Sequence, residues 1–431
     1  MKSPIVLLRS LLIDFGRLER GVKGLERDLL TLELRAEHEG FSFFTVALPA
    51  LCDSLDRGLA DRQFACPPGF SRIRDGTLPK LFSGLLCEVF DSKTGRLVEN
   101  PNLGAIKCLR QALRLYKKTL VSDEREKELD FKATREFIET DVNASFLYFE
   151  DKHSHYLDRV CTYILNGLSG RDLRDIKCKH GPGGVHEGLK GNRKWLHVLN
   201  SIVGEEFDLE SYGYSDFGNS VYYSGNLPGS SSPSCDPVWT VPSEHASSCK
   251  SRLVTVPKNS TSRRTITVEP VLKQFIQQGL NTILREEILK CRILRHSLDL
   301  SDQSHNQNLA LEGSRTCEWS TIDLKAASDS MSIMLVEKVF SRHPLFLKAM
   351  IDCRSASSEI PNRGSLMLRK FAGMGNALTF PVQSIVFAVL AITAILDHGG
   401  VYPTMGSIRR AARSVRVYGD DIIVRSNVAH H

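Results

Sequence analysis

No Cys-x-x-Cys pair occurs among the eleven cysteines of this 431-residue sequence. Their spacings form no regular framework either, so they read as single buried thiols of a reducing compartment. Cys178, His180, His186 and His197 crowd together but match no zinc-binding spacing. Also missing are a G-x-x-x-x-G-K-[ST] phosphate loop, a G-x-G-x-x-G fingerprint and a G-x-S-x-G elbow, which disfavours NTPase, dehydrogenase and hydrolase readings. Long apolar runs are scarce. The run Ile5 to Leu8 is cut short by Arg9 and Asp14, and Ile385 to Leu396 is too short to span a bilayer and reads as a buried helix. No membrane segment is expected, and no internal repeat is visible.

What the chain does have is 42% hydrophobic and 25% charged residues, enough for a sizeable core with two or three lobes around it. Its 56 basic and 50 acidic side chains leave a net charge of +6, which suits a polyanionic partner without selecting one. Residues 1 to about 170 carry mainly helical patterns. Within them, Ala105 to Leu120 places Lys107, Arg110, Arg114, Lys117 and Lys118 near one helical face, read as a solvated face in preference to a phosphate site. From Gly218 to Lys250 the composition shifts to Gly, Ser and Pro, marking a boundary. Beyond it, short β-rich runs (Leu253 to Val256, Thr265 to Val268, Thr321 to Leu324, Val415 to Val424) alternate with helical patterns, so this part mixes α and β.

The chemistry is concentrated in carboxylates. Val415 to Val424 has two β-prone arms around Gly419-Asp420-Asp421, the pattern of a tight hairpin whose glycine permits an unusual backbone angle. Adjacent side chains in mid-strand point to opposite faces, so neighbouring aspartates serve one site only where the chain turns. Taken alone, the motif is equally an exposed hairpin. A second segment, Ser320 to Ser330, delivers Asp323 at the end of a short strand. By itself Asp323 could be a helix cap, and Asp329 a solvated helix residue. Together, Asp323, Asp420 and Asp421 suit nucleotide joining, in which two Mg²⁺ ions about 4 Å apart stabilise the attacking and leaving oxygens. Mg²⁺ demands such hard oxygen ligands.

Asp323-x₅-Asp329 resembles polymerase motif A, and Tyr418-Gly419-Asp420-Asp421 resembles motif C of RNA-dependent RNA polymerases. Between them, Gly373-Met374-Gly375-Asn376-Ala377-Leu378-Thr379-Phe380 and the apolar helix through Leu396 resemble motif B of the replicases of single-stranded RNA bacteriophages, the levivirus-like family. Upstream, Thr255-Val256-Pro257-Lys258-Asn259-Ser260 through Arg264 to Val268-Glu269-Pro270 resembles their motif F. His180-Gly181-Pro182-Gly183 resembles a loop of their fingers, and Asp302-Gln303, Asn306-Gln307 and Glu312-Gly313-Ser314 match their lead-in to motif A. Four motifs in the right order are far more specific than any one of them. The matches cover roughly residues 250 to 424.

The resemblance implies an α+β right-hand polymerase fold with an antiparallel palm sheet and largely helical fingers. Residues 1–250 would be the N-terminal and fingers region, 251–314 fingers with motif F, and 315–431 the palm, with a catalytic domain at about 293–431. It assigns Asp323, Asp420 and Asp421 to two Mg²⁺ ions, with Mn²⁺ as a substitute. Lys258 and Arg264 would face the triphosphate, offsetting charge on the pyrophosphate leaving group; Arg263 is left out of that set. Asp329 and Asn376 would recognise the ribose 2′-hydroxyl, and Gly373 and Gly375 would let backbone approach template or nucleotide. Leu324 to Ser328 lacks the aromatic gate of reverse transcriptases.

The implied partners are RNA template and product, ribonucleoside triphosphates, and host elongation factors Tu and Ts with ribosomal protein S1, in the cytoplasm of a bacterial host. Arg409, Arg410, Arg413 and Arg416 stand open between template contacts and a solvated face. Pro381 replaces an expected acidic residue but suits a first helical turn. The sequence stops at His431, ten residues after Asp421, so the later palm motifs and the thumb are expected to be absent. The alternative function is a catalytically inactive RNA-binding fragment.

Overall fold

A computed structural model of the chain describes residues 4–18, 23–119, 122–144, 151–173, 176–191, 193–194 and 250–430. The Gly/Ser/Pro boundary, except for Lys250, and His197 lie outside the described residues. Two compact units emerge: Met1–Ala133 with Val256–Arg264, and Thr134–Thr255 with Thr265–His431. The hairpin segment Val256–Arg264 groups with the N-terminal helices. Its Ser260 hydroxyl donates to the carbonyls of Thr45 at 2.9 Å and Lys117 at 3.0 Å.

The first unit is helical: α1 (Pro4–Leu18), α2 (Leu25–Glu39), a π-helical turn (Phe43–Ala47), α3 (Leu48–Asp61), α4 (Ser83–Leu86), α5 (Leu103–Arg114) and the start of α6 (Asp123–Ala144). Asn102 caps α5 by accepting the Ala105 N–H at 3.1 Å. Ala105, Cys108, Leu109, Ala112 and Leu113 then form the buried stripe that helical spacing dictates. They join a core with Leu51, Leu55, Phe82 and Phe90. The basic face of α5 is not simply solvated. Arg110 lies 2.9 Å from Asp56, Arg114 pairs with Asp56 and Asp53, and Lys117 lies 3.4 Å from Asp53. Two acids on α3, three residues apart, therefore pair with three of its five cations.

The second unit mixes α and β and includes α7 (Asp151–Cys161), α8 (Val271–Lys290), α9 (Ser304–Thr316), α10 (Ile333–Phe340), α11 (Pro344–Asp352), α12 (Thr379–His398) and α13 (Met405–Ala412). Strands β1 (Lys250–Asn259), β2 (Ser262–Val268), β4 (Ser357–Ile360) and β5 (Gly364–Met367) form one sheet in the order β2-β1-β4-β5. Its β1–β4 pair is parallel and its β4–β5 pair antiparallel. A second, antiparallel sheet has the order β3-β7-β6, from β3 (Trp319–Ile322), β6 (Val415–Tyr418) and β7 (Asp421–Arg425). The chain is thus α+β.

Helix α12 is longer than its apolar run suggested: at 20 residues it is long and apolar enough to cross a bilayer by length and composition. Val382, Ile385, Val386, Ala388, Val389 and Ile392 are all fully buried in the unit's core, which accounts for a helix apolar on most of its circumference. Burying each valine or isoleucine contributes roughly 1.5–3 kcal/mol. Pro381 falls in the first turn, where its missing N–H costs nothing.

Candidate active site

The β6–β7 hairpin closes with Tyr418 opposite Asp421, leaving Gly419 and Asp420 as a two-residue turn. Gly419 has φ +67°, and a Cβ there would sit 2.6 Å from the Phe380 ring. Its N–H donates to the Ser384 hydroxyl at 3.0 Å, and the Tyr418 ring meets Phe380 edge-on at 5.1 Å. The turn is therefore seated on the first turns of α12, and only glycine fits both the backbone angle and the space.

Strand β3 brings the third carboxylate. Ile322, its last residue, pairs with Ile422, so Asp323 directly follows that pair on one chain and Asp421 directly precedes it on the other. Asp323, Asp420 and Asp421 are all exposed at this end of the sheet. Their backbones are gathered, but among the described residues no three His, Cys, Asp or Glu side chains already form a cluster able to hold a metal ion. Asp421 is held by a residue to which the motifs assign no role: Gln303 Nε2 donates to its Oδ2 at 2.7 Å, and Asn306 Nδ2 to its carbonyl at 3.4 Å. The lead-in to motif A thus braces motif C. The two stretches lie more than a hundred residues apart, so the sequence carried no local signal of that pairing.

Asp329 is not a solvated helix residue. It is buried, and Lys370 Nζ donates to its Oδ1 at 3.0 Å. Lys370 is itself fully buried, with its ammonium 3.3 Å from the centre of the Phe137 ring. Burial pulls its pKa below the ordinary lysine value, and the Asp329 charge works against that pull. The backbone N–H groups of Arg369 and Lys370 both donate to Asp141, at 3.1 Å.

Asn376 is also buried. Its Oδ1 accepts the Leu378 N–H at 2.8 Å, while its Nδ2 has no hydrogen-bond partner among the described residues. Gly375 has φ +119°, and a Cβ there would lie 2.2 Å from the Thr267 carbonyl oxygen. A Cβ on Gly373 would lie 2.7 Å from the Thr267 side chain, and the Thr267 N–H donates to the Met374 carbonyl at 2.7 Å. These glycines let their loop lie flat against β2.

Lys258 and Arg264 belong to the first unit. Both are exposed, and neither has an ion-pair partner among the described residues. Their neighbour Arg263 is engaged, with Glu126 at 3.4 Å and with Asp130, so the structure separates it from the other two. In the second unit, Lys194 donates to the carbonyls of Gly181 at 2.8 Å and Gly183 at 2.6 Å, pinning the His180-Gly181-Pro182-Gly183 loop. Burial, together with the Lys194 charge, pushes His180 down to about 4.

The hairpin thus carries paired aspartates at its tip, and a third aspartate directly follows the adjoining strand β3. Residues 239–431, which contain every motif from β1 to β7, match the family described as RNA replicase, beta-chain. Among curated proteins the chain is similar to the RNA-directed RNA polymerase subunit beta of Escherichia virus Qbeta, 39% identical over 177 residues, or 41% of this chain and 27% of the relative. It is similar to that of Enterobacteria phage SP, 37% identical over 180 residues, 41% of this chain and 28% of the relative. The RNA-directed RNA polymerase beta chain of Escherichia phage MS2 is 35% identical over 176 residues, 41% of this chain and 29% of the relative. The family match lies in the C-terminal part, and the chain spans less than a third of the length of each curated relative.

Proposed function

We propose that this chain carries the nucleotide-joining centre of an RNA-directed RNA polymerase with a right-hand fold, in which the β3-β7-β6 sheet is the palm. The observation that supports the reading is the β3–β7 register, whose last pair, Ile322 with Ile422, is followed by Asp323 on one chain and preceded by Asp421 on the other. The donor set fits Mg²⁺: three exposed carboxylates offer hard oxygens, and Mg²⁺ takes one or two carboxylates per ion with phosphate and water completing its shell. Bound there, the ions would supply charge stabilisation to the attacking and leaving oxygens, with Mn²⁺ as the substitute.

The chain's own groups would orient and select. Gln303 fixes one rotamer of Asp421. A buried donor left without a partner costs about 1–3 kcal/mol, and an incoming ribose hydroxyl would satisfy the Asn376 Nδ2. Asp329, tied to Lys370, would keep the chain beside it in place. Exposed, and without an ion-pair partner among the described residues, Lys258 and Arg264 are the basic residues suited to the triphosphate. RNA template and product, ribonucleoside triphosphates, the three host proteins and the bacterial cytoplasm belong to the same proposal.

The test is Mg²⁺-dependent incorporation of labelled ribonucleotides on an RNA template. Asp420→Asn is expected to abolish it. Synthesis undiminished in that variant removes the assignment, and RNA binding without any synthesis by the unaltered chain favours the inactive-fragment alternative.

A further inference from the structure

In the second unit, the segment Arg295 to Leu298 is stitched to the chain that leads into the hairpin. Leu298 forms a parallel bridge with Val417, and the Val417 N–H donates to the Ser297 carbonyl at 2.8 Å. The Ser297 hydroxyl donates to the Ala412 carbonyl at 2.7 Å, and Arg416 Nη1 donates to the His296 carbonyl at 3.1 Å. His296 consequently lies among Arg295, Arg409, Arg413 and Arg416, whose charges add to burial in holding its pKa below the ordinary value.

None of these four arginines has a carboxylate within ion-pair distance among the described residues, and several of their donors are idle. Arg409 Nε and Arg416 Nε and Nη2 are buried without a hydrogen-bond partner among the described residues. Asp299 and Asp302 are the carboxylates whose charge Arg416 feels. Both are committed elsewhere: Asp299 accepts the N–H groups of Ser301 and Asp302, and Asp302 accepts the N–H and hydroxyl of Ser304. Guanidinium cannot shed its proton, so the like charges cannot relax by titrating.

We propose that this arginine cluster binds the phosphates of an RNA strand. The inference rests on the polymerase reading for the choice of RNA over other polyanions. A phosphodiester backbone offers one charge per nucleotide, and its oxygens take a guanidinium fork bidentately. Arg416 stands only two residues before Tyr418, so a strand held here runs alongside the hairpin's own sheet.

The experiment measures binding of a fluorescent oligoadenylate to the full chain across a salt series. On single strands the log–log slope falls by about 0.7 for each phosphate no longer neutralised, so Arg409→Gln with Arg413→Gln should lower it by about 1.4. Arg413→Gln alone, at an exposed residue, should lower it by about 0.7 without risk to folding, and Arg413→Lys should largely preserve it. An unchanged slope in the double variant overturns the proposal. So does loss of poly-glutamate binding with oligoadenylate binding intact, which would make the cluster a seat for an acidic polypeptide. RNA binding is read without turnover, so this result and the Asp420→Asn result fail independently.

Discussion

Arg110, Arg114 and Lys117 in the first unit, and Arg409, Arg413 and Arg416 in the second, are the same kind of feature in the sequence: cations three or four residues apart. In the structure they differ in kind. The first set meets Asp53 and Asp56 across a helix pair, while the second surrounds a histidine and finds no acid to pair with among the described residues. A basic run thus acquires meaning from its counter-charge. Where the fold supplies a carboxylate the charge is structural, and where it withholds one the charge remains available to a ligand.

Three changes sharpen this contrast, and the largest concerns a cation that is both buried and matched. Asp329→Asn strands the fully buried Lys370 ammonium, and the expected loss is about 3–5 kcal/mol in denaturant unfolding. Exchanging Lys370 for Met in the same background should recover part of it. A loss below about 1 kcal/mol would mean that the pair is not a buried electrostatic unit.

Next comes a group that can shed its charge. His180, held near 4, stays neutral in the fold, whereas the unfolded chain takes up a proton below the ordinary histidine value. Stability is therefore unaffected well above pH 6.5 and is lost as pH falls from about 6.5 towards 4, by about 3 kcal/mol at most. His180→Phe, which keeps a ring against Phe275, should flatten that part of the pH–stability curve. An equally steep curve in the variant would assign the slope to other groups.

The smallest effect on stability comes from the matched surface set. Asp53→Asn with Asp56→Asn should cost about 1 kcal/mol or less. It also frees three cations, so the full chain should gain salt-sensitive oligoadenylate binding with a steeper slope. If the slope stays the same, counter-charge is not what separates the two clusters.

Much of the site was legible because its signals are local. Gly419 between β-prone arms demanded a turn, and the short apolar run before Asp323 demanded a strand ending there. The role of the lead-in was not legible, because Gln303 reaches Asp421 through folding of a distant segment. Nor was the packing role of Gly375, whose constraint is the carbonyl of Thr267 on β2.

By itself, the sequence marked β1, β2, β3 and the β6–β7 hairpin, though not β4 or β5, and put aspartates on a turn and after a strand end, since those choices depend on residues a few positions apart. Only the tertiary structure decided which charges are cancelled: Asp329 by Lys370, Arg114 by Asp56, and Arg416 by no carboxylate among the described residues. Coulomb energy depends on distance and burial in space, and neither is written in spacing along the chain.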